Sequence, residues 1–202
     1  MKIKVCGMRD KENISELIAL KPDYIGFIFY DKSKRFVVDF PKIDIPSSTK
    51  KVGVFVNGSI DEIIEKANKH NLDFVQLHGN ETPEFCSALS ANNIKIIKAF
   101  SVDENFDFSA IKLFERHVSL FLFDTKGNNY GGNGIKFNWE LLQNYTGKTP
   151  FLLSGGISKN DSAEIMKFKH PAFLGIDINS GFELEPGLKN IKEIKEFKSL
   201  IV

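Results

Sequence analysis

The sequence predicts an α/β protein: a single (β/α)8 barrel of the TIM type, eight parallel strands with outer helices, with residues 1–202 forming one domain. Three observations predict it. Short apolar, β-branched or aromatic runs recur eight times along the chain. Each is followed by a polar or glycine break and then, usually, by a segment of helical spacing, and such repetition within one domain implies a parallel sheet. No G-x-G-x-x-G follows the first run, where an open dinucleotide-binding sheet would place one. Closing the sheet removes its edges, and roughly 25 residues per unit makes a compact barrel.

Taken in order, the first strand covers residues 2–6 and feeds a helix over 11–20. A second strand, 24–29, precedes the segment 38–49, whose Pro41 and Pro46 leave room only for a short or distorted helix. The third strand, 51–56, leads to a helix over 60–70 that Ser59 can cap; the fourth, 74–78, leads to a helix over 83–91 with Thr82 as cap and Pro83 at its first position. After the fifth strand, 94–100, the segment 102–117 starts polar and continues phenylalanine-rich, so its helix is also expected to be distorted. The sixth strand is 120–124, with Asn138 able to cap the next helix. The seventh, 151–154, precedes a helix over 158–168, and the eighth, 173–178, a helix over 188–200.

Composition narrows the function. With 42% hydrophobic and 26% charged residues the chain can bury one sizeable core. Its 27 basic and 26 acidic residues leave a net charge of +1, so no whole-molecule field draws nucleic acid or an anionic membrane, and an anionic ligand must be held locally. No apolar run approaches the roughly 18 residues of a membrane span, and the strand at 2–6 leaves no targeting peptide. Cys6 and Cys86 form no C-x-x-C pair, which points to a reducing, cytoplasmic setting. His70, His78, His117 and His170 show no metal-ligand spacing, so no metal is expected.

Side chains alternate along a strand, so parity names the residues that face the barrel interior. By that count Lys4 lies one layer beneath Cys6, Asp124 lies above Leu122 and Leu120, and Asp177 shares a face with Gly175 and Phe173. His78 likewise lies above Gln76 and Phe74, and Lys98 above Ile96. Active sites of this architecture sit at the strand carboxyl ends, where Cys6, His78, Lys98, Asp124, Ser154 and Asp177 gather. Each has a plainer reading: a strand cysteine is ordinarily a small buried hydrophobe, which is how Cys86 is read, and Asp124 before Thr125 or His78 before Gly79 can simply organise a turn. Lys32-Ser33-Lys34-Arg35 would ordinarily be a solvated loop, but it follows the second strand. Ser154-Gly155-Gly156 and Asn179-Ser180-Gly181 follow strands seven and eight, where barrels build phosphate sites from glycine-rich backbone. The glycine-rich loop 126–134 is read as a mobile cover or as plain flexibility.

The segments Lys4-Val5-Cys6-Gly7-Met8, Val75-Gln76-Leu77-His78-Gly79, Phe123-Asp124-Thr125-Lys126 and Leu153-Ser154-Gly155-Gly156-Ile157 resemble the phosphoribosylanthranilate isomerases of tryptophan biosynthesis. The resemblance also takes in Gly26-Phe27-Ile28-Phe29, Lys32-Ser33-Lys34-Arg35, Val52-Gly53-Val54-Phe55-Val56 and Asp177-Ile178-Asn179-Ser180-Gly181-Phe182-Glu183. It implies an Amadori rearrangement of a small phosphosugar with Cys6 as general base and Asp124 as general acid. It matches Arg35 to the anthranilate carboxylate, Gly155, Gly156, Ser180 and Gly181 to phosphate, and His78 and Asp177 to the lining of the site. It implies no cofactor and leaves open whether the chain is a monomer or a homodimer. The chain departs from the pattern with Asn133 in place of a hydroxyl residue, Asn138 and Asn190 in place of aspartate, and Asn179 in place of serine.

Such a pair needs opposite tuning. A thiol must be made more acidic to serve as a base, for which Lys4 is the expected neighbour, and a carboxyl must be made less acidic, for which burial over Leu122 is expected to serve. The alternatives are another phosphosugar isomerase, such as the histidine-pathway barrel that resembles a pair of aspartates, and a barrel that binds a phosphoribosyl ligand without turning it over. Cys6 in the base position speaks against the first, and retention of both Cys6 and Asp124 against the second.

Overall fold

Eight parallel strands close on themselves in chain order: β1 (Lys2–Val5), β2 (Tyr24–Ile28), β3 (Lys50–Phe55), β4 (Phe74–Leu77), β5 (Ile96–Val102), β6 (Leu120–Thr125), β7 (Phe151–Leu153) and β8 (Phe173–Ile178). The structure is a computed structural model and describes residues 1–125 and 137–201. Closure is made by β1 against β8, with Lys4 opposite Asp177 and Val5 opposite Ile178. Side chains divide between two cores. The barrel interior holds Tyr24, Val52, Ile97, Ala99, Leu120, Leu122 and Leu152, and a small upper cluster of Cys6, Ile28 and Val54 covers it. The larger core lies between the sheet and the outer helices.

Those helices are α1 (Lys11–Ala19), α2 (Ile60–Lys69), α3 (Pro83–Ala91), α4 (Ser162–Lys167) and α5 (Ile191–Ile201). Their starts follow from local chemistry. Asp10, Ser59 and Thr82 accept hydrogen bonds from the backbone N–H groups of Asn13, Glu62 and Phe85, each cap contributing about 1 kcal/mol. Pro83 occupies the first turn of α3, where its missing N–H costs nothing. No helix among the described residues is long and apolar enough to cross a membrane.

Several sequence expectations need correction. The segment 38–49 forms no helix; Phe40, Ile43 and Ile45 pack it directly on the core. Among the described residues, the segments after β5 and β6 hold no α-helix but 3₁₀ turns, Ala110–Phe114 and Trp139–Asn144, the second capped by Asn138. The helix expected over 158–168 is a 3₁₀ turn, Lys159–Asp161, closed by a capping box between Ser158 and Asp161, followed by the six-residue α4. The helix expected over 188–200 begins later. Leu188–Lys189 instead forms β10, paired antiparallel with β9 (Glu183–Glu185), and Asn13 bonds both the N–H and the C=O of Lys189.

Parity fails twice. In β5 Ile97 and Ala99 line the interior, so Lys98 faces outward, where it bonds Glu81 Oε2 at 2.9 Å and the carbonyl of Gly79 at 2.8 Å. In β8 an irregularity pairs Phe151 with Phe173 but Leu152 with Gly175. Leu174 therefore packs against the interior core, and Phe173 packs outside against Phe168. The loop 126–134, with Asn133, lies outside the described residues.

Candidate active site

At the carboxyl ends of the strands lies a cleft of about 690 Å³, open mouth included, and it gathers residues from nearly every unit. Cys6 follows β1, its N–H bonded to Ile178 O, and is 4% exposed. Gly26 on β2 makes room for it, since a Cβ there would stand 2.7 Å from Sγ. Asp124 reaches the cleft from β6, with Oδ1 accepting from the N–H of Thr125 at 2.9 Å and Oδ2 3.3 Å from His78 Nε2. Gln76 Nε2 lies 3.0 Å from His78 Nδ1. With the Gln76 amide so oriented it donates to Nδ1, and the remaining ring N–H, on Nε2, points at Asp124.

Lys4 sits where parity expected it, fully buried below Cys6. Its ammonium donates to Asp177 Oδ1 at 2.9 Å and acts electrostatically on the neighbouring Cys6 thiol. One cation thus serves two acids. Burial pushes the Cys6 thiol up, further than Lys4 and Lys189 pull it down, and Asp177 adds to the rise. The sequence expectation that Cys6 is made more acidic is therefore reversed, although Lys4 acts in the expected direction. Burial likewise raises Asp177 against the pull of Lys4. Cys86, inside α3, is pushed up to about 11 by burial and faces no cleft.

Gly155 and Gly156 after β7, with φ of +93° and +64°, line the same cleft as Ser154, Ser180 and Gly181. At Gly155 a Cβ would meet Thr125 as well as an unfavourable φ, so only glycine lets this backbone face the cleft. Arg35 lines the same cleft, but its guanidinium is not loose: Nε and Nη2 both bond Glu183. Of the six ionisable or hydroxyl residues expected at the strand ends, Lys98 alone lies outside the cleft, and of the basic cluster after β2 Ser33 and Arg35 line it. Sequence reasoning missed Gln76 as a site residue, and it gave Glu183 and Lys189 no chemistry, because strands of two or three residues outside the barrel carry no readable parity. No group of three or more His, Cys, Asp or Glu among the described residues is arranged to hold a metal ion.

A closed parallel barrel with ionisable side chains and glycine-rich turns converging at its carboxyl rim defines a (β/α)8-barrel enzyme. Residues 3–199 match the family described as N-(5'-phosphoribosyl)anthranilate (PRA) isomerase. The chain belongs to that family and is an isomerase of tryptophan biosynthesis. It is 50% identical over 202 residues to the N-(5'-phosphoribosyl)anthranilate isomerase of Parabacteroides distasonis, covering 98% of this chain and 91% of that one. The phosphoribosyl anthranilate isomerase of Thermotoga maritima superposes with a TM-score of 0.86 at 31% identity, covering 100% of this chain and 98% of that one. A phosphoribosyl anthranilate isomerase solved with reduced 1-(o-carboxyphenylamino)-1-deoxyribulose 5-phosphate superposes with a TM-score of 0.83 at 29% identity, with the same coverage.

Proposed function

We propose that this one-domain chain converts N-(5'-phosphoribosyl)anthranilate to 1-(o-carboxyphenylamino)-1-deoxyribulose 5-phosphate, with Cys6 as general base and Asp124 as general acid. The supporting observation is the order of groups around the rim. Asp124 comes from β6, the glycine-rich turns from β7 and β8, Cys6 from β1 and Arg35 from the turn after β2. A phosphate seated on the turns of Gly155, Gly156, Ser180 and Gly181 leaves the ribose between the acid on one side and the base on the other. The aryl carboxylate then extends toward Arg35. His78 and Asp177 line the same space as partners of the acid and of Lys4.

In the reaction, Asp124 gives a proton to the furanose ring oxygen as the C1'–O bond breaks and the nitrogen lone pair forms an iminium. Cys6 removes the C2' proton, giving an enolamine; protonation at C1' and loss of the hydroxyl proton yield the ketone. His78, with Nε2 3.3 Å from Oδ2, is placed to supply and hold the proton of Asp124. Lys4 faces the thiolate as it forms.

The test adds freshly made phosphoribosylanthranilate and follows the loss of its anthranilate-type fluorescence, with Cys6→Ala and Asp124→Asn beside the unaltered protein. Turnover by the unaltered chain, lost in both variants while binding persists, is the expected result. Near-full activity of Cys6→Ala sinks the assignment of the base.

A further inference from the structure

Arg35, Glu183 and Lys189 form a buried three-charge cluster behind the cleft, with side chains 14%, 5% and 0% exposed. Glu183 takes two bonds from Arg35 Nε, at 2.8 and 3.1 Å, and one from Nη2 at 2.6 Å. It also accepts from Lys189 Nζ at 2.5 Å and from the N–H of Gly187 at 3.0 Å. Lys189 donates in addition to Asn179 Oδ1 at 2.8 Å. Burial alone would raise Glu183, but these partners hold it down at about 2, so it stays ionised.

The cluster is built rather than incidental. Gly7, directly after Cys6 and at φ +76°, clears its space: a Cβ there would stand 2.7 Å from Arg35 Cδ and 2.8 Å from Asn179 Oδ1. Arg9 ties the turn between β9 and β10 to the loop that carries Arg35, donating to Pro186 O at 2.9 Å and Lys34 O at 3.1 Å. Two cations against one carboxylate leave an excess of positive charge, with burial pulling Lys189 below its ordinary value against the hold of Glu183. Among the described residues, Arg35 Nη1 has no acceptor, and Arg35 lines the cleft.

We infer that Glu183 and Lys189 are specificity-determining positioning residues. Glu183 grips the Nε edge of Arg35 so that Nη1 is presented to the cleft in one orientation, and Lys189 keeps the cluster positive, so that a ligand carboxylate completes its neutralisation. This rests on the reading of Arg35 as the contact for the aryl carboxylate and extends it to residues that touch no substrate. A planar guanidinium fixed on one edge favours a carboxylate by geometry as well as by charge, and rejects a neutral aryl group that would leave the buried excess charge unpaired.

The experiment measures dissociation constants for reduced 1-(o-carboxyphenylamino)-1-deoxyribulose 5-phosphate and for the same compound lacking the carboxyl group. The readout is their ratio, which does not depend on the fraction of protein folded. The unaltered chain is expected to prefer the carboxylate by about 100-fold, as for a strong charge-assisted pair. Glu183→Gln adds a positive charge but releases the guanidinium from its fixed orientation; orientation is the larger effect, so the preference falls about tenfold, and in turnover of phosphoribosylanthranilate the loss falls more on KM than on kcat. Lys189→Met, which retains the pair of Arg35 and Glu183 but removes the excess charge, lowers the ratio similarly and serves if Glu183→Gln does not fold. Discrimination that is kept or strengthened in either variant overturns the proposal alone. Equal affinity of the unaltered chain for both compounds removes the reading of Arg35 and the proposal with it.

Discussion

Replacing Gly26 with alanine separates the placement of Cys6 from the integrity of the barrel. The added methyl would stand 2.7 Å from Sγ, 3.1 Å from Cα and 3.3 Å from Cβ of Cys6, whereas carbon-sized atoms rest at about 3.5 to 4.0 Å. Relief requires a shift of about 1 Å. The backbone cannot give it easily, because Cys6 N is bonded to Ile178 O and Met8 N to Gly26 O, so the thiol moves instead. Overpacking of this kind costs about 1 to 3 kcal/mol, and misplacing a reacting group by about 1 Å costs on the order of 100-fold in rate. A control lies on the other face of the sheet: a Cβ at Gly53 would strike Leu72 and Phe55, away from the cleft. Urea unfolding and fluorescence-monitored turnover on the same preparations should show both variants destabilised but only Gly26→Ala slowed. Unchanged turnover in Gly26→Ala, or equal slowing in Gly53→Ala, refutes the steric reasoning.

Two further outcomes follow from the shifted titrations. Burial sets the Cys6 thiol above its ordinary 9.0, so thiolate absorbance, taken as the difference from Cys6→Ala, should rise only above that value. Lys4→Met should move this titration higher and Asp177→Asn lower, because Lys4 pulls the thiol down and Asp177 pushes it up; a titration series in which both variants move the same way contradicts the shared-cation arrangement. Glu183, ordinarily near 4.5, is held at about 2, so its ionised form is bound more strongly in the folded state. That stability is present above pH 4.5 and is lost as pH falls toward 2. Acid unfolding should therefore be less steep over that window in Glu183→Gln than in the unaltered chain.

How much of the molecule was legible depended on how strongly one face of each strand was marked. Cys6, Asp124 and Asp177 end strands whose opposite faces are apolar, so alternation alone turned them into the cleft. In Ile96-Ile97-Lys98-Ala99-Phe100 both faces are nearly apolar, and the lysine misled because its partner, Glu81, lies 17 positions earlier on another turn. Phe173 was misplaced by one extra residue in β8, which reverses the facing of everything before it. Residues 38–49 were expected to hold a short or distorted helix and hold none, and where their apolar side chains pack depends on the finished surface beneath. Glu183 and Lys189 were invisible as chemistry, since a buried charge is recognisable only when its partner is known, and here the partner is Arg35. The direction of the Cys6 shift was misread because sequence showed the cation below it and not the depth of burial.

The cleft also depends on when its parts come together. Lys4 meets Asp177 across 173 positions, Arg35 meets Glu183 across 148, and Asn13 meets the backbone of Lys189 across 176. Contacts this distant along the chain are the last to become profitable during folding, because the entropy of closing so long a loop must be met before they form. On a ribosome, the segment carrying Cys6 and Arg35 emerges while its partners are still unmade, and Lys4 waits without its carboxylate. Assembly of the cleft therefore coincides with the seam of β1 against β8, so recovery of turnover during refolding should report the final ring closure and not the earlier pairing of neighbouring strands.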